Sequence, residues 1–163
     1  MRILVSLLAI DKGPVQLTGE LPPEGLGLET LDPCVRAVHP VVYDLRIERM
    51  GDELLVQGSL RTVLDCDCVR CLGSFEQALV LDPWAALLPL KGEEAMPVVS
   101  EMVDLTPQVR EDILLALPQH PVCGPQCHGV PVQRPEGGET KKEEDRSRPG
   151  PSAWSVLDRL KLD

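Results

Sequence analysis

The sequence predicts an α+β domain: mainly an antiparallel β meander or barrel-like sheet, with one main helix and a short C-terminal helix. Three observations carry this reading. Apolar residues recur at every second position in successive stretches between Val35 and Leu88. A single strong helix start, Thr106-Pro107, follows them. Two close cysteine pairs fall where a strand ends and where that helix has ended.

Met1 to Ile10 reads as a buried strand, with Ile3, Val5 and Leu7 on one face and Leu4 and Leu8 on the other. Asp11 to Leu31 is rich in Gly and Pro, with Leu17, Leu21, Leu26 and Leu28 scattered through it, and reads as short extended pieces and turns. From Val35 to Glu48 the period is two. Val35, Ala37, His39, Val41, Tyr43, Leu45 and Ile47 share one face, which makes His39 a core histidine, and Arg36, Asp44, Arg46 and Glu48 share the other. Met50-Gly51-Asp52-Glu53 supplies a hairpin turn. Leu54, Val56, Gly58, Leu60, Thr62 and Leu64 form the next alternating face and run directly into Cys66. Phe75 to Leu88 returns as a third strand, carrying Phe75, Leu79, Val80, Leu81 and Trp84, with Asp82-Pro83 as a point of interruption.

Pro89 to Ser100 reads as a loop. Thr106 is then expected as an N-cap with Pro107 at the first helical position, and Glu111 and Asp112 near the positive end of the helix dipole. Val109, Ile113, Leu114 and Leu117 make its apolar stripe, and Pro118 ends it. Residues 131–151 hold five acidic and five basic side chains, four prolines and three glycines, a composition that cannot bury a core and reads as a charged flexible linker. Residues 152–163 follow as a short helix, capped by Ser152, with Trp154 near its start and Ala153, Val156, Leu157 and Leu160 at helical spacing. A helix this short needs a docking surface. The expected organisation is therefore a metal-binding β-rich domain over 1–130, the linker, and the terminal helix.

The 163-residue chain is long enough to bury a core, and at 43% apolar residues it reads as globular. Its aromatics are only Tyr43, Phe75, Trp84 and Trp154, so Leu, Val and Ile must fill that core. The net charge of −10 opposes long-range attraction to nucleic acid and favours a basic protein partner. The apolar start ends at Asp11-Lys12 with no small-residue cleavage site, so it does not read as a signal peptide. No stretch approaches the roughly twenty apolar residues of a membrane helix. A soluble, cytoplasmic protein is expected, with no membrane contact and no small-molecule substrate.

Cys68-Val69-Arg70-Cys71 is a C-x-x-C knuckle, and Cys123-Gly124-Pro125-Gln126-Cys127 offers a second pair of thiols among Pro and Gly residues. Two such hooks supply the four sulfurs of a structural Zn²⁺ site, which has no open position and does no chemistry. His120 and His128 flank the second hook as alternative ligands, and four unliganded cysteines are the plainest alternative. A thiol–disulfide oxidoreductase is a further reading of Cys68 and Cys71, although a reactive C-x-x-C usually opens a helix and this one follows a strand. Cys34 and Cys66 are expected to stay outside any metal site. There is no Gly-rich phosphate loop, H-E-x-x-H or G-x-S-x-G, which argues against an enzyme. Arg36, Arg46, Arg61 and Arg70 are candidate nucleic-acid contacts, set against an ordinary solvated sheet face.

Three pieces together resemble the YceD family, named for large ribosomal RNA subunit accumulation. They are Cys68-Val69-Arg70-Cys71-Leu72 followed by Phe75, the run Val103 to Pro118 ending in Leu-Ala-Leu-Pro, and Pro121-Val122-Cys123 through Cys127-His128-Gly129. The ending Trp154 to Lys161 is similar to a common short terminus of that family. The resemblance implies a non-enzymatic ribosome-biogenesis factor that supports accumulation of large-subunit (23S) ribosomal RNA. Its partner would be that RNA, an assembly factor or a basic ribosomal protein. It also implies metal binding at Cys68, Cys71, Cys123 and Cys127. Many members carry further cysteines after the second pair, whereas this chain passes from Gly129 into the linker, so all four named cysteines would be needed.

Overall fold

The computed structural model describes residues 2–28 and 33–130. The expected linker over 131–151 and terminal helix over 152–163 lie outside the described residues.

Four long strands dominate: β2 (Val15–Leu21), β4 (Val41–Met50), β5 (Glu53–Asp67) and β6 (Ser74–Pro89). They pair antiparallel in the order β2-β4-β5-β6 and curl into a half-barrel. A two-residue strand, β3 (Val35–Arg36), continues the line of β4 along the same strand β5, opposite Cys66 and Asp65. A smaller sheet joins β1 (Leu4–Ser6), β8 (Met102–Asp104) and β7 (Val98–Val99) in the order β1-β8-β7. The main helix, α2 (Thr106–Ala116), follows β8, and one helical turn, α1 (Leu7–Ile10), follows β1.

The alternation in β5 holds over its whole length. Leu54, Val56, Leu60, Leu64 and Cys66 are almost fully buried on the inner face, and Cys68 continues that parity beyond the strand. On β6 the inward side chains change parity. Phe75, Gln77, Leu79 and Leu81 turn toward β5's inner face, and then Trp84, Ala86 and Leu88 do so. A β-bulge makes the change, because Asp82 and Pro83 both stand opposite Ser59 between the pairs Leu60–Leu81 and Gly58–Trp84. The strand therefore runs through Asp82-Pro83 and is not broken there. Proline is tolerated because β6 pairs only with β5 among the described strands and so lies at an edge. Val80, between Leu79 and Leu81, faces outward and is 53% exposed.

The expected strand Val35–Glu48 is interrupted. Five residues, 37–41, stand opposite three, 62–64, between the pairs Arg36–Asp65 and Val42–Arg61. Pro40, which has no N–H to give a ladder, lies in that bulge. His39 lies in it too. It is half-exposed rather than a core residue, with Nε2 3.3 Å from Asp65 Oδ1.

The N-terminal expectation also changes. Only Leu4–Ser6 is extended, and Leu7–Ile10 is helical. The Gly/Pro-rich segment holds a regular seven-residue strand, β2, paired with β4; Gly19 lies opposite Tyr43, whose ring occupies the space a β-carbon would need. The loop over 89–100 contains β7, joined to β8 by the two-residue turn Ser100-Glu101.

Helix α2 covers the inner side through Val109 and Ile113, both at most 1% exposed. Thr106 is its first residue rather than its cap. The Thr106 hydroxyl oxygen accepts from the Ile3 N–H at 2.8 Å, and the Asp104 carboxylate accepts the Thr106 N–H at 2.9 Å. Glu111 and Asp112 lie beyond the first turn, where the dipole has little effect. Asp112 instead accepts the indole N–H of Trp84 at 2.8 Å, fastening the helix to β6. One continuous apolar cluster joins Ile3, Val5 and Val103 to Leu45, Ile47 and Val109.

Candidate metal centre

The first hook is the β5–β6 connection itself. Asp67 pairs with Ser74, leaving residues 68–73 as the turn. The turn closes on itself: the Cys68 N–H donates to Gly73 O and the Leu72 N–H to Cys68 O, both at 2.9 Å. Leu72 has a φ of +61°, which lets the chain reverse after Cys71. The second hook follows α2, with a turn in which the Cys127 N–H donates to Gly124 O at 3.1 Å. Two backbone bonds hold the hooks together: Val69 N–H to Pro121 O and Val130 N–H to Arg70 O, each 3.0 Å. Gly129, at φ +76°, brings the chain close to Arg70 O, and a β-carbon there would lie 3.3 Å from that oxygen.

These bonds bring the four predicted cysteines to one point. The Cys68 and Cys127 sulfurs are 3.7 Å apart, those of Cys71 and Cys123 are 3.8 Å apart, and all four lie within 4.8 Å of one another. A zinc ion held by four thiolates at about 2.3 Å requires sulfur–sulfur edges of about 3.8 Å. The donor set therefore fits a tetrahedral thiophilic ion. Each short edge links one hook to the other. His120 and His128 are exposed and outside the cluster.

The electrostatics agree with a cation-binding role. The Cys68 thiol is held down to about 6, chiefly because the Cys123 backbone N–H donates to its sulfur, with burial opposing and the Cys71 and Arg70 N–H groups helping. Cys71 is raised: the Gly73 N–H pulls it down, but the Cys68 and Cys127 sulfurs and burial outweigh that pull. Cys123 is pushed up to about 12 by the Cys127 and Cys71 thiols and by burial. One sulfur ionises readily and the next resists, because like charges would meet at under 4 Å. A divalent ion held by these four cysteines would remove that repulsion and displace the remaining protons.

The four arginines do not form a free basic patch. Arg36 makes two bonds to Asp67, at 2.7 and 3.2 Å. Arg61 pairs with Asp82 at 2.7 Å, and Arg46 lies 3.4 Å from Glu48. Arg46 and Arg61 line one open groove on the outer face of the sheet, together with Gln16, Asp44 and Asp82. Arg70 is exposed on the first hook.

A mainly antiparallel β domain whose main helix returns a second cysteine hook to the first is thus the class defined by fold and site. The family model for "Large ribosomal RNA subunit accumulation protein YceD" matches residues 56–161, which include both hooks and α2, and the chain belongs to that family. The chain is 28% identical over 99 residues to an uncharacterized protein of Mycobacterium leprae, covering 56% of this chain and 46% of that protein. Uncharacterized proteins of Mycobacterium bovis and Mycobacterium tuberculosis are each 32% identical over 95 residues, covering 53% of this chain and 46% of theirs. The chain thus spans about half the length of the curated relatives it matches. No solved structure matches it.

No helix among the described residues is long and apolar enough to cross a membrane.

Proposed function

We propose that this chain is a non-enzymatic, cytoplasmic factor in large ribosomal subunit assembly, supporting accumulation of 23S ribosomal RNA. In this reading a structural zinc ion on Cys68, Cys71, Cys123 and Cys127 joins the β5–β6 turn to the segment after α2. The observation that carries it is the family match, whose span takes in a four-sulfur cluster of tetrahedral dimensions. A closed four-thiolate site leaves no coordination position for substrate, so the ion shapes a binding surface. The net charge of −10 and the carboxylate partners of Arg36, Arg46 and Arg61 favour a basic protein, either a ribosomal protein or an assembly factor, as the immediate contact. Ribosomal RNA is then engaged through that partner.

Two measurements test the parts separately. Metal analysis of protein purified without chelator is expected to give one zinc per chain, lost in Cys123→Ser. Metal-free protein with a reactive Cys68–Cys71 dithiol would replace the zinc reading by a thiol oxidoreductase. Depletion in a host cell is expected to lower mature 23S RNA relative to 16S RNA, and an unchanged ratio would overturn the assembly role.

A further inference from the structure

The outer face of the sheet carries a second group of metal-ligating side chains, about which the cysteine site says nothing. His39 projects from the bulge between β3 and β4, Asp65 from β5 and Glu76 from β6. One imidazole nitrogen and one oxygen from each carboxylate lie within 4.8 Å of one another. Asp65 and Glu76 are register partners, directly opposite across β5 and β6. Two carboxylates so placed repel each other and destabilise the pairing.

The neighbouring cation relieves them only in part, because Asp65 acts on Arg36 more weakly than Asp67 does. Arg36 is the register partner of Asp65 on the other side, but its guanidinium is turned to Asp67, with bonds of 2.7 and 3.2 Å. What faces Asp65 is the His39 imidazole, with Nε2 3.3 Å from Oδ1. That separation falls within the edge expected between two ligands each about 2.1 Å from a shared ion, roughly 3.0–3.4 Å from octahedral to tetrahedral geometry. Asp65 and Glu76 also line one shallow cleft, together with Arg36, Ser74 and Phe75. The His39 and Asp65 side chains retain 42% and 37% exposure, so water can reach the point between them.

We infer that His39, Asp65 and Glu76 form a second, water-open site for a divalent first-row cation on the outer face of the sheet. The donors are hard oxygens and one imidazole, the complement of the all-sulfur centre, so the two sites select different ions. Three protein ligands leave the other positions to water.

Manganese(II) is the suitable probe, because oxygen–imidazole sets accept it and thiolate sets favour other metals. It is added to the full-length protein as purified, with its cysteine site in whatever metal state it holds, and free ion is followed by its electron paramagnetic resonance signal. One equivalent is expected to bind and to broaden the His39 ring resonances. Glu76→Gln, an exposed substitution that leaves the core untouched, and His39→Ala are each expected to weaken binding about tenfold or more. Glu94→Gln, altering a surface carboxylate elsewhere, is expected to leave it unchanged. No uptake by the wild-type protein, or wild-type binding retained by either site variant, overturns the inference. Neither result bears on the cysteine centre.

Discussion

Asp67 is the last residue of β5, and the arrangement around it sets a pH dependence for the first hook. Its carboxylate accepts from Arg36 and from the Ser74 hydroxyl at 2.7 Å, and these bonds, Arg36 first, hold its carboxyl at about 2 against an ordinary 3.8. The native group binds a proton more weakly than the unfolded one. Its contribution to stability is therefore present above about pH 3.8 and is lost as pH falls toward 2. Urea midpoints measured across that window should fall more steeply for the wild type than for Asp67→Asn, which should already be the less stable protein near neutrality. Parallel profiles would show that the pair contributes nothing. At the same scale, His39 shows where alternation misleads. It shares the inward parity of Val35 and Leu45, but the bulge that contains Pro40 lets a polar side chain remain half-exposed.

At the scale of elements, strand periodicity located β4, β5 and β6 because each buries one face against the same core, and Thr106-Pro107 located α2 to within a residue. The departures arise where pairing depends on a partner strand. Ser100 and Glu101 both have positive φ, 51° and 61°, in a tight hairpin that usually carries Asn or Gly, so no local signal marked β7 and β8 as a pair. Leu72 is comparable, a leucine where a glycine would be expected at the end of the knuckle. The bulge in β6 depends equally on its neighbour. Gly58 is the pair of Trp84 at its edge, and a β-carbon on Gly58 would lie 1.9 Å from the Asp44 carbonyl oxygen of β4. Gly58→Ala must push β4 and β5 apart and is expected to cost about 2–4 kcal/mol, measured by denaturant unfolding. A cost under about 0.5 kcal/mol, the range of ordinary surface changes, would mean that the strands separate there without penalty.

For the whole molecule, the family match and the folded unit have different boundaries. The match begins at Val56, inside β5, yet β2 and β4 lie earlier and supply Leu21, Val41, Leu45 and Ile47 to the core. A fragment starting at Val56 is expected to show no cooperative thermal transition, whereas the full chain shows one; calorimetry decides this. The cysteine centre was legible because its ligands are few and chemically distinctive, and paired spacing brings out the hooks even without a fold. The outer His39–Asp65–Glu76 group was not, since its members are 11 to 37 residues apart and ordinary one by one. Only the register of three strands assembles them.

The smaller sheet also constrains how the chain is made. Leu4 pairs with Asp104, so β1 has no partner until a hundred further residues have been synthesised. At 5–20 residues per second that is a delay of about 5–20 s. Throughout it Ile3 and Val5, both at most 2% exposed in the finished protein, lack the cover that β8 gives them. The long hairpins of the larger sheet can close during that interval, β2 on β4 and β4 on β5. Closure of β1 on β8 therefore comes after those hairpins, and the second cysteine hook, at Cys123 and Cys127, is made later still.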